Sequence, residues 1–164
     1  MQNLVIRKAA AGDMEIIRSL AETVWPLTYK DILSKEQIDY MMNLFYSAES
    51  LSKQIKKDIF LIAELNEEPV GFVSFSETAA AGIYKVQKLY VKTGTQGKGV
   101  GRALINFILD EIRVLNAKAL ELNVNRHNNA RWFYEKMGFE VIREEDTDIG
   151  NDYWMNDYVM RLEI

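Results

Sequence analysis

The sequence has no cysteine, one histidine (His127) and two prolines (Pro26 and Pro69) in 164 residues. Without cysteine there is no disulfide, no thiolate zinc site and no cysteine nucleophile. A single histidine excludes a histidine metal cluster and weighs against a Ser-His-Asp triad, so no metal is expected. Positive charge is not in excess either: 20 Lys and Arg against 24 Asp and Glu leave a net charge of -4. A general nucleic-acid binder needs a basic face to displace counterions from phosphates, so that class is set aside and a cationic small partner is mildly favoured. No apolar run approaches the roughly 20 residues of a membrane span, and Met1–Lys8 carries no apolar signal core. No membrane association is expected, and the expected location is the cytoplasm.

What is present is the balance of a globular protein, 48% hydrophobic and 27% charged, in a length that one core can serve. A single domain over 1–164 is therefore expected. Leu4–Arg7 reads as a strand, Asp13 as an N-cap, and Met14, Ile17, Leu20, Ala21 and Val24 as the stripe of a helix that Pro26 ends just after Trp25. Ser34 and Gln37 form a capping-box pattern for a second helix with Ile38, Met41, Met42 and Phe45 inward, and a third helix spans about Ser47 to Lys57. Two β-rich runs, Ile59–Leu65 and Val70–Ser76, flank the turn Asn66–Pro69, and a third covers Ile83–Lys92, making an antiparallel meander. A strong helix follows, with Val100, Leu104, Phe107, Ile108, Ile112 and Leu115 on one face. Then come a strand at Ala119–Val124, a short helix at Asn128–Met137 with Gly138 as its cap, and strands near Phe139–Arg143 and Tyr153–Leu162.

Chemistry concentrates in two segments. Lys88–Val91 ends a strand, Gln96–Gly101 turns the chain, and Arg102 onward is helix. Glycines let backbone amides approach an anion, and the first helical N–H groups and the helix dipole favour negative charge there, so a pyrophosphate suits the loop. A P-loop would need Ser or Thr after Lys98, where Gly99 stands, and a dinucleotide fingerprint would want glycine where Arg102 stands. The pattern Gln96-x-x-Gly99-x-Gly101 resembles the acetyl-CoA pyrophosphate loop of the GNAT acetyltransferase superfamily. About 30 residues on, Asn128-Asn129-Ala130 and Tyr134-Glu135-Lys136-Met137-Gly138-Phe139 look like that family's second hallmark.

The resemblance covers Ile83–Phe139 in its motifs and the rest of the chain in its pattern of elements. It implies an α/β (α+β) fold: a mixed, mostly antiparallel sheet of about seven strands, flanked by about four to five helices, with the fourth and fifth strands splayed apart. It implies acetyl-CoA as cosubstrate, held by backbone groups of Leu89, Tyr90 and Val91, by the loop Gln96, Gly97, Lys98, Gly99, Val100, Gly101 and Arg102, and by the Asn128 side chain. Tyr134 is then the general acid, because a thiolate leaves when an amine attacks a thioester and a positioned phenol can protonate it.

Trp25 and Tyr29 fall where such enzymes line the acceptor pocket, and the aromatic spacing, with the closing Gly150–Tyr158, looks similar to bacterial spermidine/spermine acetyltransferases. Aromatic faces and carboxylates suit a cationic amine, the candidate acids being Glu22, Asp31, Glu77, Asp152 and Asp157, with Glu77 able to hold a water. Those polyamine enzymes carry acids on the fourth strand, where this chain has Lys85, Gln87 and Lys88, so no base is named. A small primary amine is the expected acceptor and a homodimer the expected assembly. A peptide N-acetyltransferase of the same fold and a non-catalytic acyl-CoA-binding module are the alternatives.

Overall fold

The computed structural model describes residues 3–95 and 97–164; Gln96 therefore lies outside the described residues. The elements in chain order are β1 (Leu4–Lys8), α1 (Met14–Tyr29), α2 (Lys35–Tyr46), α3 (Ala48–Lys57), β2 (Ile59–Leu65), β3 (Glu68–Glu77), β4 (Ile83–Val91), α4 (Val100–Arg113), β5 (Ala119–Asn125), α5 (Ala130–Lys136), β6 (Glu140–Gly150) and β7 (Tyr153–Glu163). One seven-stranded sheet has the order β1-β2-β3-β4-β5-β7-β6. Every pairing is antiparallel except β4 with β5.

Each face of the sheet carries a helical layer. On one, Leu104, Ile105, Ile108 and Ile112 of α4 pack on Leu61, Val73, Leu120 and Met160. On the other, Ile17 and Trp25 of α1 join Met41, Tyr46 and Leu51 over Phe60, Ile62 and Phe72. Each such side chain taken out of water contributes about 1.5–3 kcal/mol, which holds both layers on the sheet.

Local expectations were overruled where burial is strong. Pro26 does not end α1, which runs on to Tyr29. Proline there removes one backbone bond to Glu22, but Trp25 and Tyr29, one turn apart, are 4% and 8% exposed and hold the last turn in the core. Asp13 does not cap α1; its carboxylate turns back to accept from Arg7 at 2.9 Å and from the Ala10 N–H at 2.8 Å. Ser34 caps α2 by accepting from the Gln37 N–H at 3.1 Å, but the Gln37 amide donates to the Trp154 carbonyl at 3.0 Å, so the capping box is half formed. Leu115 lies past the end of α4 and is 61% exposed.

The pairing of β4 positions the site. It runs alongside β5 only from Ile83 to Val86, opposite Ala119–Leu122. Beyond that, β4 stays with β3 while Asn123–Asn125 of β5 stay with β7, so the two strands part. The register between β3 and β4 jumps from Ser74↔Lys88 to Phe75↔Val86, leaving Gln87 as an extra residue. Such a bulge bends and twists its strand, and it sits where the splay begins.

Candidate active site

The parting strands open a cavity of about 480 Å³, walled by β4 and β5 and by Trp25 and Tyr29 of α1, with Asn128 and Tyr134 reaching it from the α5 segment. At its centre, Tyr29 and Tyr90 share a hydroxyl hydrogen bond at 3.0 Å, and the Trp25 ring lies 4.7 Å from Tyr29 and 5.5 Å from Tyr90. Burial pushes the Tyr29 phenol up to about 12 and the Tyr90 phenol well above its ordinary value. Trp25 also donates its indole N–H to the Tyr46 hydroxyl at 3.2 Å, so it is both cleft wall and core.

Tyr134 is 8% exposed, and its ring stands edge-on to Phe133 at 5.2 Å and Phe139 at 5.9 Å. Burial, and after it the neighbouring Tyr29, raise its proton affinity, so the phenol is neutral at physiological pH. α5 comes close to α4 because residue 101 is glycine: a Cβ there would stand 3.3 Å from the Phe133 ring. Asn128 accepts the Ala130 N–H at 2.9 Å, which starts α5, and its side-chain amide faces the Tyr29 hydroxyl in the cleft.

The glycine loop lies outside the cavity wall, at the N-terminus of α4. Gly97 and Gly99 have φ of +85° and +78°, and a Cβ at either would meet nothing within 4 Å among the described residues. Among the described residues no side chain caps α4, which leaves the N–H groups of its first turn without a side-chain partner there. Lys98 and Arg102 are exposed beside it and make no ion pair among the described residues, and Val100 is buried in the core beneath.

The five candidate acids separate. Asp31 and Asp152 are exposed, and Glu22 pairs with Arg18 on the outer face of α1. Glu77 accepts the Gly82 N–H at 2.9 Å and does not line the cavity. Asp157 of β7 does line it, is 4% exposed, and accepts one long hydrogen bond from the Asn123 amide at 3.4 Å. Burial is the main cause that raises its proton affinity.

Lys88 is a feature of the cleft wall that the sequence concealed. Strict alternation would put Lys85 and Gln87 on one face of β4 and Lys88 on the other, but the bulge at Gln87 returns Lys88 to the face of Lys85. The Lys88 ammonium sits over the Phe45 and Tyr46 rings at 5.2 and 4.9 Å, and burial pushes it down to about 8 although Asp58 opposes that shift.

Among the described residues no group of acids and histidine could hold a metal ion, and no helix is long and apolar enough to cross a membrane.

A sheet splayed beside a glycine-initiated helix is the architecture of one class of acyl-transfer enzymes, and comparison with known proteins bears this out. Residues 29–162 match the family described as "Acetyltransferase (GNAT) domain", and the chain belongs to that family of N-acetyltransferases. The spermidine N(1)-acetyltransferase of Thermoplasma acidophilum is 30% identical over 163 residues, covering 93% of this chain and 96% of that protein. Among solved structures, the PaiA N-acetyltransferase of Thermoplasma acidophilum in complex with coenzyme A superposes with a TM-score of 0.83 at 27% identity, covering 99% of both chains. A GCN5-related N-acetyltransferase structure from Rhodopseudomonas palustris shares the fold with a TM-score of 0.83 at 21% identity, over 98% of this chain and 95% of that one.

Proposed function

We propose that this chain transfers acetyl from acetyl-CoA to a primary amine of a small molecule in the cytoplasm, by direct attack within a ternary complex. The observation that carries the reading is the gap between β4 and β5, which opens onto Tyr134, with β4 running on in the chain toward the glycine loop. The residues suit the cosubstrate. The positive-φ glycines Gly97 and Gly99 and the α4 N-terminus, without a side-chain cap among the described residues, suit an anion cradle, with Lys98 and Arg102 alongside. The backbone of residues 87–91 has no partner on its β5 side, which offers Leu89, Tyr90 and Val91 to an extended amide-bearing arm, and Asn128 can donate to it.

Bound acetyl-CoA would supply an acetyl thioester whose thiolate leaves. Tyr134, kept neutral by burial, holds the proton that such a leaving group needs. Trp25, Tyr29 and Tyr90 form an aromatic wall that shields the reacting atoms from water and can face a cation. The Thermoplasma relative is named for spermidine, which makes polyamines the first acceptors to assay. Lys85 and Lys88 on the cleft wall oppose a second ammonium beside them, which favours short amines over long polyamines.

Release of free CoA thiol from acetyl-CoA, measured with spermidine, a short primary diamine and an N-terminal peptide, tests this. Turnover of the small amines is expected. A peptide preferred by more than about tenfold in kcat/KM, about 1.4 kcal/mol of transition-state binding, would overturn the small-amine reading, and thiol release with none of the three would overturn the catalytic one.

A further inference from the structure

The fourth strand carries no acid that could take a proton from the amine, yet the folded chain brings one to the cleft from its far side. Two carboxylates, Asp58 and Asp157, are on the cavity wall among the described residues. Asp58 belongs to the end occupied by the Lys88 ammonium, which it attracts. Asp157 lies on β7 opposite Asn125 of β5, at the mouth of the splay, and its charge is felt by the Tyr29 phenol in the centre of the cleft.

Its surroundings are unbalanced in a particular way. The Asn123 amide spends an N–H on Asp157 at 3.4 Å, while the Asn123 side-chain oxygen is buried with no hydrogen-bond partner among the described residues. A carboxylate holding one long hydrogen bond and an amide oxygen holding none stand side by side, both acceptors. Burying such atoms without a donor is costly, and a primary ammonium, with three N–H donors and a positive charge, satisfies both.

We propose that Asn123 and Asp157 receive the acceptor ammonium and that Asp157 is the general base of the acetyl transfer; this rests on the acetyltransferase reading above. The ammonium gives one proton to Asp157. The freed nitrogen lone pair forms the N–C bond to the acetyl carbon, the C–S bond breaks, and the thiolate takes the Tyr134 proton. The second nitrogen proton, acidic once the bond has formed, restores the Tyr134 phenol, and Asp157 returns its proton to water, so each turnover releases one proton.

The charges around Asp157 suit a base that works near neutrality. Lys85 of β4 and Arg126 beyond β5 favour its ionised form, Glu145 of β6 and burial favour the protonated form, and burial prevails; Tyr29 of α1 is neutral. Arg126 is itself held by Glu144 and Asp146 of β6, which blunts its pull on Asp157.

The test is Asp157→Asn, read by the pH profile of kcat/KM and by carbon NMR of carboxyl-labelled aspartate. In the unaltered enzyme the profile is expected to rise as Asp157 ionises and then level off. In Asp157→Asn, activity near pH 7 is expected to fall at least about 100-fold, and the profile to climb without a plateau toward the amine's own pKa, about 10.4 for an alkylamine. The NMR difference between the two proteins is expected to give Asp157 a midpoint above the ordinary value of about 3.9, falling when the diamine is added. A variant whose KM rises while kcat and the shape of the profile stay unchanged would reduce Asp157 to a binding group. An ordinary midpoint that the diamine does not move would also overturn the proposal, and that readout decides it even if no amine of the panel is turned over.

Discussion

Replacing Tyr134 by Phe removes one oxygen from the cleft and leaves the packing in place. The ring is held by edge contacts to Phe133 and Phe139, which phenylalanine keeps, and the hydroxyl makes no hydrogen bond among the described residues. No buried partner is therefore left unsatisfied, and stability is expected to change by no more than about 0.5 kcal/mol. The rate is another matter. A lost general acid lowers turnover about 100- to 10,000-fold, equivalent to about 2.7–5.5 kcal/mol of activation free energy. Burial lifts the phenol above its ordinary range, so it keeps its proton throughout pH 7–9.5 and the deficit is expected to be the same at every pH in that span. The assay is thiol release at saturating amine, beside thermal melts with and without acetyl-CoA. Turnover within twofold of the unaltered enzyme, with both proteins equally folded, would remove Tyr134 from the chemistry and leave it as a core tyrosine.

Gly99→Val places a β-branched residue at φ +78°, where its Cβ meets no described neighbour within 4 Å but the backbone itself resists by about 1–3 kcal/mol. The variant is expected to fold yet lose most of the roughly 2.7 kcal/mol that acetyl-CoA at 100 times its dissociation constant adds to unfolding, and equal stabilisation of the unaltered protein by NAD would contradict the assigned coenzyme. Lys88→Met is expected to stabilise the fold by about 2 kcal/mol at pH 7. The fall of the lysine from 10.5 to about 8, the net of burial and the opposing attraction of Asp58, corresponds to about 3 kcal/mol of differential proton binding, trimmed by partial exposure. The folded state binds this proton less tightly than the unfolded chain, so the penalty is fully present below pH 8 and fades as pH rises toward 10.5. Urea melts at pH 7 and pH 10 are expected to show a large and a small gain respectively, and no gain at pH 7 would mean that the ammonium is well solvated.

The sequence by itself determined whatever depends on neighbours along the chain. The glycines at 97, 99 and 101 and the apolar stripe Val100, Leu104, Ile108 and Ile112 are local patterns, and they appear as a turn with positive φ followed by α4. The Asn128–Phe139 segment, the hairpin at Asn66 and the meander β2-β3-β4 were legible for the same reason. Tertiary structure decided the rest. Pro26 sits inside α1 because Trp25 and Tyr29 reach the core on either side of it. β6 runs on to Gly150 through Glu144, Glu145, Asp146, Thr147 and Asp148, a poor strand sequence, because β7 supplies a ladder and Arg126 bridges Glu144 and Asp146. Lys88 joined the cleft through a one-residue bulge, and Asp157 was one of five equivalent acids until the register of β5 with β7 set it beside Asn123 at the splay. Strand alternation says that side chains change face at each step, but which face meets the cleft depends on a bulge and on strand neighbours far apart in the chain.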